Sequence, residues 1–301
     1  MDWKLSSVPA QGDRVAIVTG ANVGLGLETA RALASKGVRV IMACRNLEKA
    51  QAARSDILRK LPKARVETLH LDLSSQSSVK AFAQDFLASN RRLDLLINNA
   101  GIMMPPYELS VDGFESQLAA NYLGHFGLTL LLLPLINQTA GARVVQVSSL
   151  AHQWSGIRFE DLHFANGYDR RRAYGQSKLA CLMFAYELDR RLRKAGESTL
   201  SVAAHPGISH TNLFQHMPRA FQFLAPLAAL VFNSARAGAL PILYAALGED
   251  IAGGDYCGPG GLRQMRGAPV KVGSNRRSRE VDTAGRLWSV SEKLTGIRLR
   301  L

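Results

Sequence analysis

The sequence predicts an α/β protein built on one doubly wound parallel sheet with helices on both faces. Short apolar runs alternate with helix-length segments along residues 14–204. A glycine-rich turn joins the first such run to the first helix, and no Pro/Ser-rich linker divides the chain. Strands separated by helices of this length form βαβ units, whose parallel sheet is covered on both sides. At about 150 residues per domain, 301 residues fill one large domain or two ordinary ones. The unbroken pattern favours one: a lead over 1–12, a body over 13–260 and a basic extension of the same domain over 261–301.

Each element has its own signal. Residues 14–19 (RVAIVT) read as a buried strand, 25–36 as a helix ended by Gly37, and 38–43 (VRVIMA) as the second strand. Helix 47–59 stops near Pro62. Strand 65–71, helix 77–89 and strand 93–97 follow, then a largely helical stretch over 112–133. Strand 142–147, a long helix over 173–194 and strand 200–204 complete the alternation.

Composition sets further bounds. Hydrophobic residues make up 47% and charged residues 20%, as in a folded globular protein. Cys44, Cys181 and Cys257 lie far apart, which excludes a disulfide framework or CxxC metal site and fits a reducing, cytoplasmic compartment. The opening MDWKLSSVPAQGDR has no apolar core, so no signal peptide or leading anchor is expected. The most apolar stretches, 126–136 and 220–232, have 11 and 13 residues and contain Pro134 and Pro226. Both fall short of the roughly 20 residues that span a bilayer, so they read as core or pocket segments.

The net charge is +13, and +7 of it lies in the last 39 residues. Such a face attracts anions or is simply solvated. No helix-turn-helix, zinc-finger or aromatic RNA motif accompanies it, so no nucleic acid partner is expected. The seven histidines show no HExxH-type spacing, so no metal site is expected.

Thr19-Gly20-Ala21-Asn22-Val23-Gly24-Leu25-Gly26 lies between the first strand and helix. Glycines there permit positive φ and let backbone N–H groups approach a pyrophosphate at the positive end of the helix dipole. The second strand ends in Ala43-Cys44-Arg45, without the acidic residue that would bind a ribose 2′-hydroxyl. Arg45 suits a 2′-phosphate, which favours NADP(H) over NAD(H), or is an exposed arginine at a helix start. Asp72, before Leu73, accepts from an adenine amino group or caps the next helix. The fourth strand ends in Asn98-Asn99-Ala100-Gly101, small residues that admit a cofactor and amides that can brace the loops.

Ser149, Tyr174 and Lys178 form a candidate catalytic set. Tyr174 and Lys178 are four apart on a helix and share a face. Tyrosine is a poor base at neutral pH, but an ammonium nearby favours its phenolate. It then exchanges a proton with an alcohol while a hydride moves at the same carbon. Ser149, at the fifth strand's end, can hydrogen-bond the substrate oxygen.

Together, Thr19 to Gly26, Asn98 to Gly101, Ser149 and Tyr174-Gly175-Gln176-Ser177-Lys178 resemble the short-chain dehydrogenase/reductase superfamily over residues 13–260. The resemblance implies a Rossmann-type fold and an oxidoreductase interconverting alcohols and carbonyls. It adds Asn121 as a fourth catalytic residue, holding a water in a proton relay, and gives Lys178 a second role on the nicotinamide ribose. It implies cofactor contacts at the Pro206-Gly207-Ile208 turn and Thr211. Ala43-Cys44-Arg45, Val147 to His152, Leu287 to Glu292 and a long Ser149–Tyr174 gap resemble the retinol-dehydrogenase-like and WW-domain-oxidoreductase-like subgroup. That implies an apolar substrate: retinoid-like, long-chain or polycyclic. The apolar segment 208–233 reads as a substrate lid, a core helix pair or an oligomer contact, and the family often forms dimers or tetramers. A nucleotide-sensing protein without catalysis is the alternative on this fold. His152 reads as a cleft residue or a surface histidine.

Overall fold

A computed structural model describes residues 3–208 and 233–301. Its sheet has eight strands in the order β3-β2-β1-β4-β5-β6-β7-β8. They are β1 (Val15–Thr19), β2 (Arg39–Cys44), β3 (Val66–His70), β4 (Leu95–Asn98), β5 (Arg143–Val147), β6 (Leu200–Ala204), β7 (Tyr256–Pro259) and β8 (Pro269–Lys271). All neighbours pair in parallel except β8, which lies antiparallel to β7. The helices are α1 (Gly24–Ser35), α2 (Leu47–Lys60), α3 (Gln76–Ser89), α4 (Ser116–Asn137), α5 (Arg170–Lys194), α6 (Ala235–Leu247) and α7 (Val281–Thr295).

Alternation along the strands builds two cores. Ile17, Ile41, Leu96 and Val144 face a layer made by α3, α4, α5 and α7. Val18, Met42, Ile97 and Val145 face α1, α2 and α6. The sequence order reverses between β1 and β4, so their carboxyl ends open a crevice there.

Side-chain caps fix several helix starts. Asn46 accepts from the Lys49 N–H at 2.8 Å to start α2, and Asp169 accepts from Arg171 and Arg172 to start α5. Residues 112–115, expected to be helical, are not. Gly113 sits at φ +80°, Leu109 bridges Glu115, and the Glu115 carboxylate caps α4 instead. At its other end α4 runs through Pro134 to Asn137. Its surroundings bury 83% of the most apolar window, although by length and composition it could cross a membrane. Packing there outweighs the proline's lost hydrogen bond.

The basic C-terminal stretch joins the body. Trp288 of α7 is 2% exposed, stacks on Phe184 at 5.7 Å and carries the Arg191 guanidinium over its ring at 4.3 Å.

Candidate active site

The crevice begins at the glycine turn. Gly20 and Gly24 have φ of +64° and +59°, which other residues adopt only with strain. A Cβ on Gly26 would overlap the Gly20 carbonyl and the Asn99 side chain, so the turn closes only with glycine there. Val23 provides no side-chain cap, and the first N–H groups of a helix that starts this way suit an anion. Cys44 packs beneath the turn, and burial pushes its thiol up to about 11.

A cleft of about 430 Å³ follows this turn. It is lined by Gly20, Asn22 to Gly26, Arg45, Asp72, Leu73 and Asn99 to Gly101. All these positions were expected from the sequence; Lys49, on the first turn of α2 beside Arg45, was not. Asp72 does not cap the next helix: Ser75 does, its Oγ accepting from the Ser78 N–H at 3.3 Å, while Asp72 Oδ1 accepts from the Ser74 N–H at 2.9 Å and the Ser74 hydroxyl at 2.6 Å in the turn before it. Asn99 braces the loop, donating from Nδ2 to the Thr19 carbonyl at 2.8 Å.

A second cavity, about 850 Å³, adjoins the first through Leu25, Asn99, Gly101 and Ile102. Ser149, Tyr174 and Lys178 converge on it, and Pro206, Gly207 and Ile208 line it as well. Lys178 Nζ donates to the Val147 carbonyl at 3.1 Å and lies 6.0 Å from the Tyr174 ring centre. The Trp154 ring stands 6.1 Å from that of Tyr174. Thr211 and residues 209–232 of the expected lid lie outside the described residues.

Asn121 lies in a π-turn, Ala119–Leu123, where the Gly124 N–H reaches back to the Ala119 carbonyl. Such turns recur at functional sites. Its side chain is buried: Oδ1 accepts from the Ile102 N–H at 2.8 Å, while Nδ2 donates to the Ile102 carbonyl and to Ser177 Oγ. A Cβ on Gly101 would stand 3.1 Å from Asn121 Oδ1 and 3.4 Å from Lys178 Nζ. Gly101 therefore lets the backbone pass between them.

His152 is neither a cleft residue nor a surface one. It is 1% exposed, and its Nδ1 donates to the Ser149 carbonyl at 2.7 Å. Burial lowers its pKa, and lowers those of His125 and His205 to about 4. The sequence reading also missed the β7–β8 connection. Arg263, Gln264 and Met265 line the second cavity from it, the first two with φ of 51° and 57°. The Gln264 side chain pairs with His205 at 3.0 Å.

Comparison with known families matches the short chain dehydrogenase family over residues 14–220. The chain belongs to the short-chain dehydrogenase family. Human retinol dehydrogenase 12 is 43% identical over 289 residues, covering 95% of this chain and 87% of that protein. A crystal structure of an uncharacterized protein from Mycobacterium paratuberculosis covers both chains fully at 42% identity, with a TM-score of 0.85. A Pseudomonas aeruginosa RhlG/NADP active-site complex is 25% identical, with a TM-score of 0.65, over 82% of this chain and 94% of the other. This dehydrogenase is an NAD(P)-dependent oxidoreductase acting on the CH–OH group of small alcohols and on the corresponding carbonyls.

Proposed function

We propose that this dehydrogenase interconverts an apolar alcohol and its aldehyde or ketone with NADP(H), through Ser149, Tyr174, Lys178 and Asn121. The observation that carries this is the convergence of Ser149, Tyr174 and Lys178 on a cavity that adjoins the glycine-turn cleft. The cleft fits the dinucleotide. Gly26 leaves the turn no room for a Cβ, the uncapped start of α1 suits a pyrophosphate, and the end near β2 carries Arg45 and Lys49.

That pair, with no acidic residue at Ala43-Cys44-Arg45, supports recognition of a 2′-phosphate. The NADP complex of the RhlG structure supports it as well. When bound, the nicotinamide gives or takes the hydride.

Ser149 Oγ donates to the substrate oxygen and steadies the charge that develops there. Tyr174 Oη takes the alcohol's proton during oxidation and returns it during reduction. The Lys178 ammonium, anchored on Val147, sets positive charge near the Tyr174 ring and holds the nicotinamide ribose. Asn121 supports the relay that returns protons to solvent. Pro206, Gly207 and Ile208 line the same cavity and would flank the nicotinamide.

The second cavity carries Met103, Val147, Trp154, Ile208 and Met265. This lining and the relatives named retinol dehydrogenases support an apolar substrate of long-chain or polycyclic size. The buried, unpaired state of Cys44, Cys181 and Cys257 supports a cytoplasmic location.

The test is a panel of alcohols and carbonyls of rising apolar size, followed by NADPH absorbance with NADH in parallel. The reading expects kcat/KM to climb with apolar size and to favour NADPH. Equal rates on acetaldehyde and decanal, or preference for NADH, would overturn the corresponding part.

A further inference from the structure

We propose that His125 is a positioning residue that ties the cofactor cleft to the Asn121 turn, so that the two halves of the active site keep one relative placement. The proposal rests on the active-site reading above.

His125 lies on α4, just past the π-turn, with no exposed surface. Both ring nitrogens are engaged. Nδ1 is 2.9 Å from the Asn121 carbonyl oxygen. A carbonyl only accepts, so Nδ1 carries the proton. In the neutral ring Nε2 is then an acceptor, and it lies 2.8 Å from Thr19 Oγ1. The Thr19 hydroxyl therefore donates to His125, because its other acceptor, the Ile97 carbonyl, is further off at 3.4 Å.

This choice sets what the oxygen does next. Thr19 Oγ1 accepts the N–H groups of Asn99 and Ala100, each at 2.9 Å. Its two lone pairs are then filled and its proton is spent. A charged imidazole would present a third donor to the same oxygen, so this arrangement needs the neutral ring. Burial and the Lys178 charge both favour that form.

The bridge joins segments far apart in sequence. Thr19 ends β1 and precedes the glycine turn; Asn99 and Ala100 line the cofactor cleft. At the other end, the Asn121 carbonyl is held by His125 Nδ1 and by Cys181 Sγ at 3.2 Å. The Asn121 side chain is fixed independently, on Ile102 and Ser177. One imidazole thus completes the only chain of side-chain hydrogen bonds that runs, among the described residues, from Thr19 Oγ1 through a single residue to the Asn121 backbone.

The two bonds can be removed separately. The amide nitrogen of asparagine falls near Nδ1, and the amide end of glutamine near Nε2. His125→Asn keeps the bond to Asn121, His125→Gln keeps the bond to Thr19, and His125→Phe keeps neither. Steady-state kinetics with a carbonyl substrate should show a split. His125→Asn raises KM for NADPH about tenfold with little change in kcat, and His125→Gln lowers kcat about tenfold with KM held. His125→Phe shows both losses. A role confined to packing would lower thermal stability in all three while leaving the kinetics of the folded enzyme at wild-type values, and that result would overturn the proposal. If His125→Phe fails to fold, the Asn and Gln variants still decide: equal kinetics in the two contradict it. Tyr174→Phe is measured alongside. Undiminished turnover by that variant would sink the active-site reading itself, a failure distinct from wild-type kinetics in the His125 series.

Discussion

The Lys178 ammonium donates to the Val147 carbonyl at 3.1 Å, which pins the lysine to the end of β5, two residues before Ser149. The helix that carries Lys178 also carries Tyr174 one turn earlier, so a strand end and a helix face are locked together at the cavity. Lys178→Met removes both the anchor and the charge. Cofactor affinity and kcat should each fall by about tenfold or more. Cofactor titration and steady-state rates check this, and a change in only one of them would contradict the double role.

Arg45→Asp should turn preference toward NADH. A charge-assisted pair contributes about 1.5–3 kcal/mol, so the NADPH/NADH ratio of kcat/KM should fall at least tenfold. Lys49→Gln should lower the same ratio by a smaller factor, since Lys49 lines the same end of the cleft. An unchanged ratio in both variants would mean that neither side chain reads the phosphate.

Gly26→Ala places a methyl group against the Gly20 carbonyl and Asn99. Backbone is the obstacle, so the turn must shift. We expect NADPH affinity to drop at least tenfold and stability to fall by about 1–3 kcal/mol. Wild-type affinity in calorimetry would show that the turn tolerates a Cβ.

The glycine turn and the Ser149, Tyr174 and Lys178 set were legible because each uses residue types at short spacing, and local geometry then holds them in place. Strands β1, β2, β4, β5 and β6 were legible because parallel strands buried on both sides are mostly apolar runs. What escaped depended on distance. His125 meets Thr19 across 106 residues, and no local pattern marks that pairing. Lys49 could have been found: it is four residues past Arg45 and follows the Asn46 cap, which points the first turn of α2 at the cleft. The Arg263–Met265 wall hangs on β7 and β8, strands of four and three residues that contain Gly258, Pro259 and Pro269 and so give little β signal. Helix α4 continues past Pro134, where helix propensity alone ends it, because buried packing overrides the proline.

Acid should destabilise the enzyme above the range where most carboxylates titrate. Burial lowers His125 and His205 to about 4, against an unfolded value of 6.5, and lowers His152 as well. Above pH 6.5 both states are neutral at these rings and stability is complete. Below it the unfolded chain takes protons that the fold refuses, so stability is lost as pH falls from 6.5 toward 4. Each ring near 4 contributes on the order of 3 kcal/mol to this loss. Asp189, raised by burial, works in the opposite sense. Urea midpoints at pH 7.5, 6 and 5 should decline steadily; a flat profile would mean that these rings are protonated in the fold.

The central claim is that Tyr174 moves the proton while the cofactor site stands independently of its hydroxyl. Tyr174→Phe removes only that oxygen. The measurement is kcat with NADPH and a long-chain aldehyde, paired with NADPH affinity by fluorescence titration on the same sample. The account predicts a loss of about three decades or more in kcat, with affinity within about threefold of wild type. Near-normal turnover by the phenylalanine variant would contradict it.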